Sequence, residues 1–491
     1  MACSKRITRS GIFQGAILIL TVGLFLAASA GAAFAGNPPL SSAPTNPEFS
    51  KYYQDKLMGR ITAVTPEGHP LGLIPPPFEL PKVPTSRGLA PVITALPATF
   101  DLRTSGGVTD VRNQGGCGSC WAFASFASFE SYLKYKLTQS WDFSEEDLNE
   151  YHLWDSRVCE GGNHLMSTAY LARWAGPVNE SDVPYPWAMS TPGVGVKKHV
   201  QKVWFLPDRS GSTDNSIVKQ AVQSYGAVYA TFQWNSSYYN ATYHSYYKGS
   251  SGSSNHAVAI VGWDDAYSKA KFNTPPPGNG AFIMKNSWGT GWGENGYFYM
   301  SYYDASLWIG VMFCNAGSTA NYARVYEYDP LGWTNSLGFG SNVGWFANLF
   351  KASSSAPKIK GVSFYTPAPN CPYELRIYDN VTAGQPRTGT LVKSLTGTIS
   401  KGGYSTIDFA ASRATVTPGK KFSVVVKLTV PPQYDYNYPI PVEGSIEGYS
   451  SGANAYVGQS FVSGDGTSWS DLTSLWSSRA NVCLKAFGVI P

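Results

Sequence analysis

Histidine is scarce in this 491-residue chain: there are six, and none follows His256. That absence disposes of one apparent motif. Gly448-Tyr449-Ser450-Ser451-Gly452 has the form of a serine-hydrolase elbow, but the Ser…Asp…His order cannot be completed after it, so the match is chance. Charged residues make up only 14%, and the net charge of +5 is not gathered into runs, which excludes a nucleic-acid footprint. With 43% hydrophobic residues the chain is not disordered either. It has no tandem repeat and no long low-complexity tract. Cys117-Gly118-Ser119-Cys120 is the sole C-x-x-C and lacks a βαβ setting, so neither a zinc site nor thioredoxin-like redox chemistry is expected. No metal or cofactor is called for.

Glycine (50), proline (33) and tyrosine (31) are abundant and point to many turns and short strands. The length allows two sizeable cores. At the N-terminus Lys5, Arg6 and Arg9 precede an apolar run from Ala16 to Ala28. The small-residue patterns Ala28-Ser29-Ala30 and Ala33-Phe34-Ala35 follow it. Residues 1–35 therefore read as a signal peptide cleaved after Ala35 rather than an anchor helix, for which the run is short. No later segment reaches the apolar length of a membrane span. A secreted, extracellular protein without a stable span is expected.

Residues 36–96 are proline-rich and read as a prosegment or N-terminal arm, with one short helix over 47–56 and an extended Ile74-Pro75-Pro76-Pro77. From residue 97 the pattern predicts a long apolar helix over 119–137, and Ser144-Glu145-Glu146-Asp147 has the form of a capping box. A third helix is expected over 166–174. Strands are expected over 227–232, 257–263, 280–285 and 297–300. Helices first and strands later make an α+β domain with a helical lobe and a β lobe, residues 97–318. The small, polar stretch Gly317 to Asn321 marks the boundary. Residues 319–491 alternate as strands over 325–328, 362–365, 374–378, 406–409 and 422–428, the pattern of an all-β sandwich.

The chemistry concentrates in Gln114-Gly115-Gly116-Cys117-Gly118-Ser119-Cys120-Trp121. Glycines before a helix put Cys120 at its N-terminus, where unpaired N–H groups and the dipole favour thiolate. A thiolate that cleaves peptides needs a neighbouring base. His256 opens an apolar strand at a distance within the roughly 130–150 residues of papain-type pairs. Asn286, in Lys285-Asn286-Ser287-Trp288-Gly289, can accept from one imidazole nitrogen and aim the other at sulfur. Gln114 can join the Cys120 N–H in holding an oxyanion.

The stretches Gln114–Phe123, Cys159-Glu160-Gly161-Gly162, Asn255–Gly262 and Lys285–Gly296, in this order, resemble the papain-like cysteine peptidases over about residues 97–316. The resemblance implies Cys120 as nucleophile, His256 as acid–base, Asn286 as orienter and Gln114 as oxyanion donor. It also implies Trp288 shielding the Asn286–His256 bond, and Gly161 and Gly162 holding substrate backbone. Asn163, His164 and Leu165 would approach a side-chain pocket. In an exported protein it implies a Cys117–Cys159 disulfide. Of the remaining Cys314, Cys371 and Cys483, the simplest pair is Cys371–Cys483. Departures from the family are a long loop over 264–279, expected to project from the surface, and Tyr151-His152 where a cysteine is common. The 36–96 segment also lacks the helical inhibitory pattern of cathepsin-L-type prosegments. Residues 319–491 resemble the lectin-like sandwich that follows papain-like domains in some microbial peptidases, through Tyr328–Trp333, Gly361–Thr366 and Ser460–Ser463 with Asp465, Gly466 and Trp469.

The expected function is a cysteine endopeptidase acting on protein or peptide substrates through an acyl-thioester. The alternatives are a carbohydrate- or surface-binding protein with a secondary peptidase module, and a cell-wall peptide amidase. Trp333, Trp345, Tyr434 and Tyr436 could offer flat faces to a glycan or cell-surface ligand. His69, His152, His199 and His244, in polar surroundings, are expected at the surface.

Overall fold

The computed structural model describes residues 38–83, 96–186 and 194–490; the expected signal peptide and the end of the arm lie outside these. The helix Cys120–Leu137 carries apolar residues on every side, with Ser125, Ser128, Glu130 and Ser131 among them, and is buried from Cys120 to Leu133 apart from Ala127. Lys134 and Lys136 sit in its last turn, where cations meet the negative dipole end, and Thr138 ends it in the left-handed region. Ser144 Oγ accepts from the Asp147 N–H at 3.0 Å and opens Glu145–Glu150, as a cap should. Asn163 caps His164–Ala172 through the N–H groups of Leu165 and Met166. The helix Ser216–Tyr225 has no side-chain cap and was not expected from the sequence.

One large sheet organises the molecule. Its neighbouring strands run Leu484–Val489, Lys358–Thr366, Gly402–Asp408, His199–Phe205, Trp308–Gly317, Val228–Phe232, His256–Asp264, Ala281–Lys285 and Tyr297–Ser301. The pairing of Gly402–Asp408 with His199–Phe205, Tyr404 opposite Val203, is an antiparallel seam joining the C-terminal β region to the α+β region. Gly403 makes the seam possible: its φ is +106°, and a Cβ there would lie 2.2 Å from the Val203 carbonyl oxygen. A second sheet of six strands packs in the C-terminal region. The architecture is α+β followed by an all-β region, as the sequence pattern predicts.

The C-terminal sandwich shares its main core with the α+β region rather than standing apart from it. One apolar cluster runs from Leu133 and Tyr170 through Trp333 and Tyr365 to Val424. The aromatics offered as sugar platforms are mostly inside it: Trp333 is 1% exposed, Tyr434 5% and Tyr436 6%, and Trp345 is buried in a smaller cluster. His152 and His199 are buried rather than exposed, His199 stacked on Trp174 at 3.8 Å. The 264–279 loop does not simply project; Tyr267 and Phe272 pack with Ala281 in a satellite core. Among the described residues no helix is long and apolar enough to cross a membrane.

The arm is folded onto both regions. Ser41–Ser42 adds an edge strand to Asn335–Gly338. The helix Pro47–Leu57, capped by Asn46, places Phe49 edge-on to Tyr449 at 5.2 Å, and Tyr53 donates to the Gly448 carbonyl at 2.6 Å. The chain then returns, and Phe78 bridges Thr45.

Candidate active site

Cys120 is the first residue of its helix and is fully buried. The loop before it is fixed by a disulfide between Cys117 and Cys159 and by the Gly118 N–H donating to the Cys159 carbonyl at 3.2 Å. Cys314, Cys371 and Cys483 are free and buried, so the expected Cys371–Cys483 bond is not formed. Cys371 lies on the six-stranded sheet, its thiol donating to the Ala368 carbonyl at 3.1 Å, and Cys483 lies beside the start of the Leu484–Val489 strand of the large one, against Asp329.

His256 begins the strand next to the cysteine: the backbone N–H of Ala257 bonds the Cys120 sulfur. Its Nε2 lies 2.8 Å from Asn286 Oδ1. That same oxygen accepts the Ser287 N–H at 2.9 Å, so it is the amide's acceptor end and Nε2 carries the proton. Nδ1 has no hydrogen-bond partner and is the nitrogen left for chemistry. Trp288 stacks on the imidazole at 4.7 Å and is 4% exposed, closing the pair off from water. Beneath Asn286, Lys285 donates to Thr109, whose hydroxyl donates to Glu130 at 2.6 Å. Sequence reasoning missed this brace. It also missed Ser287, whose hydroxyl donates to Gln114 Oε1 at 2.6 Å and so turns Nε2 of that amide outward as a donor.

A strap crosses all of this. Gln114 Nε2 donates to the Pro70 carbonyl at 3.2 Å as well as to Cys117. His69 stacks on Trp288 at 4.4 Å. The Gly72 N–H bonds the Cys120 sulfur, and Gly72 and Ile74 exchange hydrogen bonds with Gly162 at 3.0 and 2.9 Å. The approach is so close that a Cβ on Gly72 would sit 1.8 Å from the Gly118 carbonyl oxygen. Gly161 contacts the same strap, with φ +111°. His164 stands apart from these groups, packed against Phe205, Tyr229 and Trp308.

Enclosure sets the electrostatics. Burial pushes the Cys120 thiol up to about 11, outweighing the N–H groups of Ala257 and Gly72. Burial also pulls His256 down to about 4, with the Asn286 bond opposing. Beneath the strap the two groups are a neutral thiol and a neutral imidazole.

Residues 96–322 match the profile of the papain family cysteine proteases. This segment is a papain-family domain. Residues 325–488 match a lectin-like domain. The papain-family domain is similar to a cysteine protease of Blomia tropicalis, 32% identical over 229 residues, 44% of this chain and 64% of that protein. It is similar also to a cathepsin L-like protein of Caenorhabditis elegans, 31% identical over 43% of this chain and 61% of that one. The chain thus spans less than two thirds of these relatives. Among solved structures, the cysteine protease and lectin-like domains of Cwp84, a surface layer associated protein of Clostridium difficile, align over 93% of this chain and 99% of that one. The identity there is 26% and the TM-score 0.77. Cwp84 after propeptide cleavage aligns over 80% of this chain, with 27% identity and a TM-score of 0.70.

Proposed function

We propose that this chain is an exported cysteine endopeptidase made in a self-blocked form. The observation that carries the reading is the His256–Asn286 hydrogen bond under Trp288, beside Cys120 at the start of its helix. His256 Nδ1 takes the thiol proton and the sulfur attacks the substrate carbonyl carbon. Asn286 keeps the imidazole in the tautomer and orientation this needs. The oxyanion of the tetrahedral intermediate is held by the Cys120 N–H and by Gln114 Nε2, the donor that Pro70 now occupies. The amine leaves with the proton from His256, and water, deprotonated by the same nitrogen, hydrolyses the thioester. Gly161 and Gly162 hold substrate backbone, and the Cys117–Cys159 bond keeps them beside the cysteine.

On this reading residues 1–35 are the signal peptide, residues 36–96 a removable prosegment, 97–318 the peptidase and 319–491 the lectin-like domain. The last holds the enzyme at a glycan-bearing or cell surface. Cleavage-site profiling of the processed protein against a protein substrate, with Cys120→Ala as the inactive control, tests the activity. Sequencing the active form should find its first residue near Leu96. An active form that begins at Gly36 refutes the prosegment role.

Gln114→Ala should lower kcat by about 10²–10³ while the melting temperature stays within a few degrees, because the donor acts chiefly on the transition state. Activity within a few-fold of the parent would leave Gln114 a loop residue only.

A further inference from the structure

Past Gly72 the strap leaves the cleft and enters a trough walled by both regions. Its path is Ile74-Pro75-Pro76-Pro77-Phe78-Glu79-Leu80-Pro81-Lys82-Val83. Three successive prolines fix an extended backbone with few hydrogen-bond donors to satisfy. Ile74, Phe78 and Val83 are nonetheless buried. Phe78 packs on Trp333 with ring centroids 5.0 Å apart, and Trp333 in turn stacks on Phe205 across the seam. The Tyr436 hydroxyl donates to the Glu79 carbonyl at 3.3 Å. At the far end Asp208 accepts the Val83 N–H and faces the Lys82 ammonium. Beside the strap, and lined in part by its own Pro75, Phe78 and Val83, lies a cavity of about 880 Å³ whose other walls include Phe205, Trp308 and Tyr434.

We infer that this trough is an exosite of the processed protein, which receives an extended, proline-rich, apolar segment of a protein substrate, with a basic residue meeting Asp208. The inference rests on the reading above, in which the strap departs. Its occupant is argued from the strap itself, which displays the chemistry the trough accepts. Aromatic faces beneath a preformed proline-rich backbone are a recurring way to bind peptides at low entropic cost. At about 3.1 Å per residue the nine residues from Pro75 to Val83 would span up to roughly 28 Å. Recognition therefore extends well beyond the residues that flank a scissile bond, and the lectin-like region supplies part of it. Burial of aromatic and proline surface there, rather than contact with Cys120, sets the selectivity.

The probe is a fluorescent peptide of residues 75–83, which omits every cleft contact. Anisotropy should show saturable binding to the processed protein below about 1 mM. Tyr436→Phe, which removes one hydroxyl, should weaken it about five-fold, and replacing the three prolines of the peptide by glycine should weaken it further. At saturation the peptide should raise KM for casein several-fold and leave kcat and the turnover of a short fluorogenic peptide unchanged. Absence of saturable binding overturns the inference, as does equal binding by the Tyr436→Phe protein. Equal inhibition of the short substrate overturns it too, since the peptide would then be acting in the cleft. If the processed protein turns over neither substrate the peptidase reading fails, while the anisotropy result still decides the trough.

Discussion

Iodoacetamide should label Cys120 at least about a hundred-fold faster once the strap has been removed than in the full chain at pH 7. The thiolate is the reactive form, and burial under Gly72 raises the thiol from 9.0 to about 11, a factor of about 10² in thiolate fraction before access is counted. Gly72→Ala should give the uncleaved chain much of the same reactivity, because its methyl carbon cannot coexist with the Gly118 carbonyl. Brief alkylation followed by mass mapping checks both. Equal rates in the full and processed chains would mean that the strap does not cover the sulfur in solution. The imidazole adds a pH dependence whose sign follows from its shift. Under the strap His256 is lowered from 6.5 to about 4. The covered form therefore binds fewer protons than an open one between those values, and acidification through that window favours release. Labelling of the full chain should accelerate from pH 6.5 toward pH 4 relative to a free cysteine treated alike.

A chain ending at Gly317 should fail to fold to a soluble monomer, or should melt about 10 °C or more below the full protein. The cut bares the His199–Phe205 edge along the seam, and an exposed apolar edge strand invites pairing between molecules. It also removes Trp333 from Phe205 and Phe78, opening the shared core. Scanning calorimetry and sedimentation read the outcome. A monomeric fragment that melts with the parent would show that the seam is dispensable.

The candidate site was legible because its signals are local. The glycine loop, the helix start at Cys120 and the two apolar strands opened by His256 and followed by Asn286 each lie within about ten residues of their own signal. The cap at Ser144 was legible in the same way, whereas Asn163, read as approaching a side-chain pocket, caps the helix His164–Ala172 instead. What escaped was pairing at a distance. Nothing periodic in Gly402–Asp408 says that its neighbour is His199–Phe205, and no pattern in His69–Ile74 names Cys120 as the residue it covers. His199 illustrates the cost: polar neighbours in sequence placed it at the surface, whereas Trp174, itself stacked on Phe487, covers it from elsewhere. Cys371 and Cys483 were paired by count alone, and a count does not know which sheet each occupies. The proline run Pro75–Pro77 was the one available hint of the strap, since a backbone that cannot join a helix must lie extended against something.

The ladder between Tyr404 and Val203 has a mechanical consequence. A flexible linker would let the cutting site sweep a volume around wherever the lectin-like end is held. A hydrogen-bonded seam permits no such swivel. On the proposed function, a molecule held at its lectin-like end would present Cys120 at a fixed height and tilt, and which bonds it reached would depend on how far each stands off the surface.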